Sequence, residues 1–155
     1  MQPLPHRYLV TAIPGPAHDV CLTTPGVQPL PTAAPVEFDG PGEAWSPETL
    51  LVGAAADCFA ITFRGVARAS RLAWTEMTCD VAGTLDRVDG VMRFVRVDIH
   101  ARVTLPDGGS EALAHRVLDK AKRTCLITNS LNADVHLQAS IEVGDPALMG
   151  AGAEP

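Results

Sequence analysis

From Val95 to Leu105 the chain alternates without a break. Val95, Val97, Ile99, Ala101, Val103 and Leu105 fall on one side, and Arg96, Asp98, His100, Arg102 and Thr104 on the other. A period of two is the signature of a strand with one buried and one wetted face. The run before it, "WTEMTCDVAGTL", reads as a second strand, and Asp89-Gly90 between them is a hairpin signal. Upstream, "RYLVTAI" and "HDVCLTT" predict two short strands separated by "PGPA". Pro25 to Gly42 is rich in proline and glycine and predicts an extended loop, with one short strand near Val36–Phe38. A last strand is expected in "ADVHLQASIEV", with Val135, Leu137, Ala139, Ile141 and Val143 inward.

Two segments follow the helical period instead. In "SPETLLVGAAADCFAITFR", starting at Ser46, serine is a good N-cap, Pro47 suits the first helical position and Glu48 complements the positive end of the dipole. Asp57, Arg64, Arg68 and Arg71 fall on one narrow stripe and nearly everything else up to Phe63 is apolar, so the helix is expected to be surrounded by protein on most sides. Ser110 and Glu111 open a second helix with Leu113, Val117, Leu118, Ala121 and Cys125 on one face. Strands, helix, hairpin, helix, strand is the order of an α+β fold, an antiparallel sheet with helices on one face. Residues 6–143 are expected to form one domain, with 1–5 and 144–155 as flexible ends.

Composition narrows the function. The net charge is −6 and no basic tract occurs, which argues against a nucleic-acid surface. The N-terminus has no secretion-signal pattern, and the apolar run from Leu50 to Phe63 is broken by Asp57 and short for a bilayer. By elimination a cytoplasmic protein without membrane partners is expected. The five histidines are scattered, and the four cysteines show neither a C-x-x-C pair nor zinc-like spacing, so no metal or cofactor is expected.

Among the cysteines, Cys79 alternates with Met77 and Val81, and Cys21 sits between Val20 and Leu22; both read as small core hydrophobes. Cys58 and Cys125 each lie on a helix that could hold a side chain rigidly. Cys58 is either core packing or a reactive thiol, and a mid-helix position offers no dipole to lower its pKa. A reactive Cys58 would need a nearby cation.

Two motifs resemble the OsmC/Ohr family, the osmotically inducible protein C and organic hydroperoxide resistance proteins. "SPETLLVGAAADCF" is similar to that family's N/S-P-E, apolar run and Ala/Asp-Cys-Phe, and "KAKRTCLITNSL" to its K-A-x-x-x-C-P-x-S-N-A-L. The resemblance runs from about Gly40 to Val143. It implies an OsmC-like fold with antiparallel sheets packed on a long central helix, in an intertwined homodimer that buries that helix. It further implies a thiol-dependent peroxidase acting on organic hydroperoxides. Cys58 would become a sulfenic acid, Cys125 would condense with it to a disulfide, and an external dithiol, dihydrolipoyl groups in the best-known members, would reduce that bond.

Glu48 matches the family's glutamate. Ten residues of helix span about 15 Å, so a Glu48 acting beside Cys58 would have to come from the partner subunit; the alternative is that it only complements the helix dipole. The family places an arginine by the thiolate, and here the matching positions are His18 and Glu37. His18 could supply part of the charge if protonated, and Arg7 and Arg123 are further candidates. Leu126 stands where proline is usual. The competing reading is a non-enzymatic OsmC-like protein that binds a small apolar ligand or senses oxidants through its thiol.

Overall fold

The alternating run forms the middle strand of a three-stranded sheet. The structure, a computed structural model, describes residues 2–16 and 19–144. It divides into two compact units, one ending at Leu51 and the other beginning at Val52. The expected flexible end at 144–155 lies outside the described residues from 145 onward, and so do Met1 and His18.

In the first unit β1 (Thr11–Pro14), β2 (Val20–Thr23) and β3 (Leu30–Thr32) form an antiparallel meander. The third strand falls inside the segment expected to be loop. Pro31 lacks an N–H, but an edge strand leaves one row of donors unpaired, so proline is tolerated there. Val36–Phe38 is a turn of 3-10 helix and not the expected strand: Phe38 N–H donates to the Pro35 carbonyl and Asp39, in the left-handed region, donates to that of Val36. Gly40 then folds back so closely that an added Cβ would lie 1.7 Å from the Ala34 carbonyl oxygen. Gly40→Ala is therefore expected to cost about 2–3 kcal/mol, because backbone and not a side-chain tip must move. Urea unfolding would measure it, and an unchanged midpoint would show that this turn relaxes freely.

The helix α1 (Pro47–Ala69) starts where the sequence places it. Ser46 Oγ accepts the Thr49 N–H at 3.1 Å while Thr49 Oγ1 accepts the Ser46 N–H at 2.8 Å, a reciprocal cap that satisfies two otherwise orphaned donors. At its other end Arg71 takes a left-handed φ of 54°, and Leu72 N–H closes on the Ala67 carbonyl at 2.9 Å. At 23 residues the helix is longer than the apolar run suggested. By length and composition it could cross a membrane, which corrects the expectation that this segment is too short. Ala55, Phe59, Phe63, Val66 and Ala67 are buried in the core.

In the second unit β4 (Glu76–Val88) and β5 (Val91–Leu105) form the expected hairpin, Val88 opposite Val91. Asp89 (φ 50°) and Gly90 (φ 81°) carry the two positive φ angles that a two-residue turn of this hand requires. The expected inward face holds: Val97, Ile99, Ala101, Val103 and Leu105 are buried, and Arg96 and Arg102 are exposed. The chain then crosses through α2 (Glu111–Thr124) and the single turn α3 (Leu126–Asn129) to β6 (Asp134–Val143). This strand pairs with β5 in parallel, so the sheet is mixed where an antiparallel one was expected. The cause is the helical crossover, which returns the chain to the end of the sheet where β5 began. Val117, Leu118 and Ala121 of α2, Phe59 and Phe63 of α1 and the inner face of β5 make one core.

Candidate active site

The inner stripe of α1 and the junction between α2 and α3 bring two cysteines together that lie 67 residues apart in sequence. Phe59 and Phe63 are fully buried and fix the rotation of α1, and Cys58, immediately before Phe59, is left half-buried at the edge of the core. On the opposing side α2 stops at Thr124 because Cys125 adopts an extended ψ of 114°. The break is closed by local hydrogen bonds: Asn129 N–H donates to the Cys125 carbonyl (3.1 Å), the Asn129 side-chain amide to the Arg123 carbonyl (3.0 Å), and Ser130 Oγ to the Leu126 carbonyl (2.8 Å). Cys125 is completely buried at this hinge and is the cap of both helices. Both residues are free thiols.

Their environments push the two sulfurs apart in acidity. Burial, the largest single influence on Cys58, raises its pKa. Four hydrogen-bond donors oppose it: the Ile127 backbone N–H, the Cys125 thiol, the Leu126 backbone N–H and the Thr62 hydroxyl. Together they bring Cys58 below the ordinary thiol value. Cys125 moves the other way. Burial raises it first, the Thr128 hydroxyl and N–H pull it back, and the neighbouring Cys58 sulfur raises it further. Of the two, Cys58 is therefore the thiol that ionises first, with the Cys125 thiol donating toward its sulfur.

Within the described residues it is hydrogen-bond donors and not a cation that oppose burial at Cys58. Among the described residues no charged side chain influences Cys58; the Ile127 and Leu126 N–H groups, the Cys125 thiol and the Thr62 hydroxyl are what lower its pKa. Glu37 is exposed on its 3-10 turn, Arg7 is exposed, and Arg123 is exposed in the last turn of α2. His18 lies outside the described residues. Leu126 occupies the position where the motif usually has proline, and its N–H, which a proline lacks, is one of the donors. The missed Thr62 was legible in principle, because it lies one helical turn beyond Cys58. Amides that only a chain reversal aims at a sulfur were not.

Glu48 sits in the first turn of α1, ten residues before Cys58 on one continuous helix. Its side chain is half-buried, and Oε2 is buried with no hydrogen-bond partner among the described residues. A carboxylate oxygen out of water without a donor costs free energy, so Glu48 is more than a solvated charge at a helix start. Among the described residues no group of three or more histidine, cysteine, aspartate or glutamate side chains is placed to hold a metal ion.

Comparison with known proteins gives concordant results. The family model described as OsmC-like protein matches residues 40–140. YmaD, an uncharacterized protein of Bacillus subtilis (strain 168), is 31% identical over 144 residues, covering 90% of this chain and 96% of that one. Among solved structures, an OsmC like protein from Mycoplasma pneumoniae superposes with a TM-score of 0.77 at 15% identity, over 90% of this chain and 99% of that one, a likeness of fold alone. An organic hydroperoxide resistance protein OsmC from Legionella pneumophila gives a TM-score of 0.70 at 25% identity, over 89% and 98% of the two chains.

Proposed function

Because this chain belongs to the OsmC-like protein family and has its α+β fold, we propose that it is a thiol-dependent peroxidase that reduces organic hydroperoxides. The observation that carries the reading is the pairing of a Cys58 thiol held below its ordinary pKa with a Cys125 thiol held above it. The Cys58 thiolate attacks the peroxide oxygen distal to the alkyl group. The O–O bond breaks, the alcohol leaves with a proton, and Cys58 becomes a sulfenic acid. The Cys125 thiol then attacks that sulfur, water leaves, and a Cys58–Cys125 disulfide forms. An external dithiol, for which a dihydrolipoyl group is the candidate, exchanges the bond away. In a reducing compartment such as the cytoplasm the cysteines return to thiols between turnovers.

A homodimer belongs to the same proposal. Ten helical residues separate Glu48 from Cys58 by about 15 Å along the axis, so a Glu48 acting at this sulfur comes from a second copy. Its orphaned Oε2 and the apolar length of α1 support that arrangement. In the test, reduced protein is mixed with cumene hydroperoxide or t-butyl hydroperoxide and a dithiol, and peroxide loss is followed. No catalytic consumption would sink the peroxidase reading. That no charged side chain among the described residues influences Cys58 favours a second reading, a thiol sensor, which would consume peroxide once per Cys58 and then stop.

The donor set makes its own prediction. In Leu126→Pro the side chain changes little of consequence, since Leu126 is 75% exposed. Cys125 before it is already extended, as a residue preceding proline must be, and the first helical position tolerates proline. What is lost is one N–H facing Cys58. Such a bond to a charged sulfur is worth about 1.5–3 kcal/mol. The Cys58 pKa should therefore rise, and the peroxide reaction at pH values below it should slow and recover at higher pH. The pH profile of Cys58 alkylation reads this directly, and an unshifted profile would remove Leu126 from the site.

A further inference from the structure

The helix α2 is the positive exception in an acidic chain. It carries Arg116, Lys120, Lys122 and Arg123, four of the chain's 12 lysines and arginines and both of its lysines, while the whole chain has a net charge of −6. Its carboxylates are Glu111 and Asp119. Lys122 and Arg123 line a groove of about 530 Å³ whose other walls are Asp119, Thr128, Asn129 and Val135. Cations in a last turn complement the helix dipole, which accounts for their sign and not for the cavity beside them. Among the described residues neither forms an ion pair, with Asp119 or with any other carboxylate, whereas Arg96 and Arg102 on the sheet both do.

We infer that this groove, between the end of α2, the turn α3 and the start of β6, is a binding site for a small organic oxyanion, a carboxylate or a phosphate ester. Its walls are preformed. The Asn129 side-chain amide spans the helix break to the Arg123 carbonyl at 3.0 Å, and Thr124 Oγ1 donates to the Lys120 carbonyl at 2.9 Å. Thr128 is only 3% exposed, and its hydroxyl donates to the Cys125 carbonyl at 3.4 Å. A ligand entering here meets walls that are already ordered, so little of its binding energy goes into arranging them.

The chemistry of the lining selects the ligand. Lys122 brings a compact ammonium and Arg123 a planar fork, and both suit a carboxylate or a phosphate group. The Asn129 amide spends one N–H on Arg123 and has a second to give. Val135 adds an apolar wall, and the volume lies in the range of small-molecule sites and exceeds what a bare anion fills, so the ligand has a carbon body. Asp119 is the opposing charge. Two cations and one carboxylate leave one positive charge in excess, which matches a monoanion and penalises each further negative charge. The groove uses neither Cys58 nor Cys125 as a ligand, so the inference stands whether or not the chain is a peroxidase.

The test titrates benzoate and phenyl phosphate, with benzyl alcohol as the uncharged control, into the reduced full chain followed by heteronuclear NMR. Probes of this size are expected to bind with a Kd of about 1 mM. The amides of Lys122, Arg123, Asn129 and Val135 should shift, and benzyl alcohol should leave them unmoved. Lys122→Met should weaken the anion about tenfold by removing a charge-assisted hydrogen bond. Asp119→Asn should tighten it about threefold by removing a repulsion. A general loss of stability would not move two neighbouring substitutions in opposite directions. Binding of one anion and not the other upholds the site and identifies the group it takes. No saturable shift with either anion, equal shifts with benzyl alcohol, shifts centred on Cys58 and Thr62, or a Kd unmoved in either variant would each overturn the inference.

Discussion

Cys58→Ser is expected to reduce dithiol-dependent consumption of organic hydroperoxide by at least about a thousandfold, to the uncatalysed rate. The reason is chemical. A serine hydroxyl in the same place is not ionised near neutral pH and its oxygen has no counterpart of the sulfenic oxidation level, so the intermediate cannot form. The exchange of sulfur for oxygen at a half-buried position leaves the Phe59 and Phe63 anchors in place, and thermal unfolding should confirm a folded protein. In wild type the rate should rise with pH through the lowered Cys58 pKa and level off above it, because only the thiolate attacks. Cys125, raised, stays protonated through that range and remains able to donate. A Cys58→Ser protein retaining more than about one hundredth of wild-type turnover would mean that another thiol carries the chemistry.

Phe63→Ala is expected to cost about 3–5 kcal/mol of stability and to lower the unfolding midpoint by on the order of 10–15 °C. Phe63 is 0% exposed and meets Trp74 edge to face, with ring centroids 5.4 Å apart at 71°. The substitution removes both the transferred surface and the aromatic contact, and its neighbours on β5 and α2 are themselves fixed by sheet and helix and cannot collapse into the space. Since domains of this size hold only about 5–15 kcal/mol in total, a large share of the margin goes. Activity should fall as well, because the same stripe aims Cys58 at Leu126 and Ile127. Differential scanning calorimetry with a parallel assay tests both. A loss below about 1 kcal/mol would show that the stripe is not what anchors α1.

Much of the architecture was legible because each part of it is local. The alternation of Val95 to Leu105 gave β5 its buried face, Asp89-Gly90 its turn, and Ser46-Pro47 the start of α1. The readings that moved did so for equally definite reasons. Val36–Phe38 became a 3-10 turn because Gly40 folds back on Ala34, and two apolar residues flanking Glu37 do not distinguish the two. β6 has a clear period of two, but a period says which side chains face inward and not which way the strand runs; the α2 crossover decided that.

The site divides along the same line. By itself the sequence determined the residues: two cysteines in two motifs, a glutamate at the head of an apolar helix, and leucine where the pattern has proline. It also set the demand that a Cys58 thiolate be stabilised by something positive. What satisfies that demand was decided only by tertiary structure. The helix break at Cys125 turns the backbone so that the N–H groups of Leu126 and Ile127 face a sulfur 67 residues away. Every residue but proline carries such an N–H, so its presence conveys nothing; its direction, fixed by the fold, makes Cys58 the acidic member of the pair.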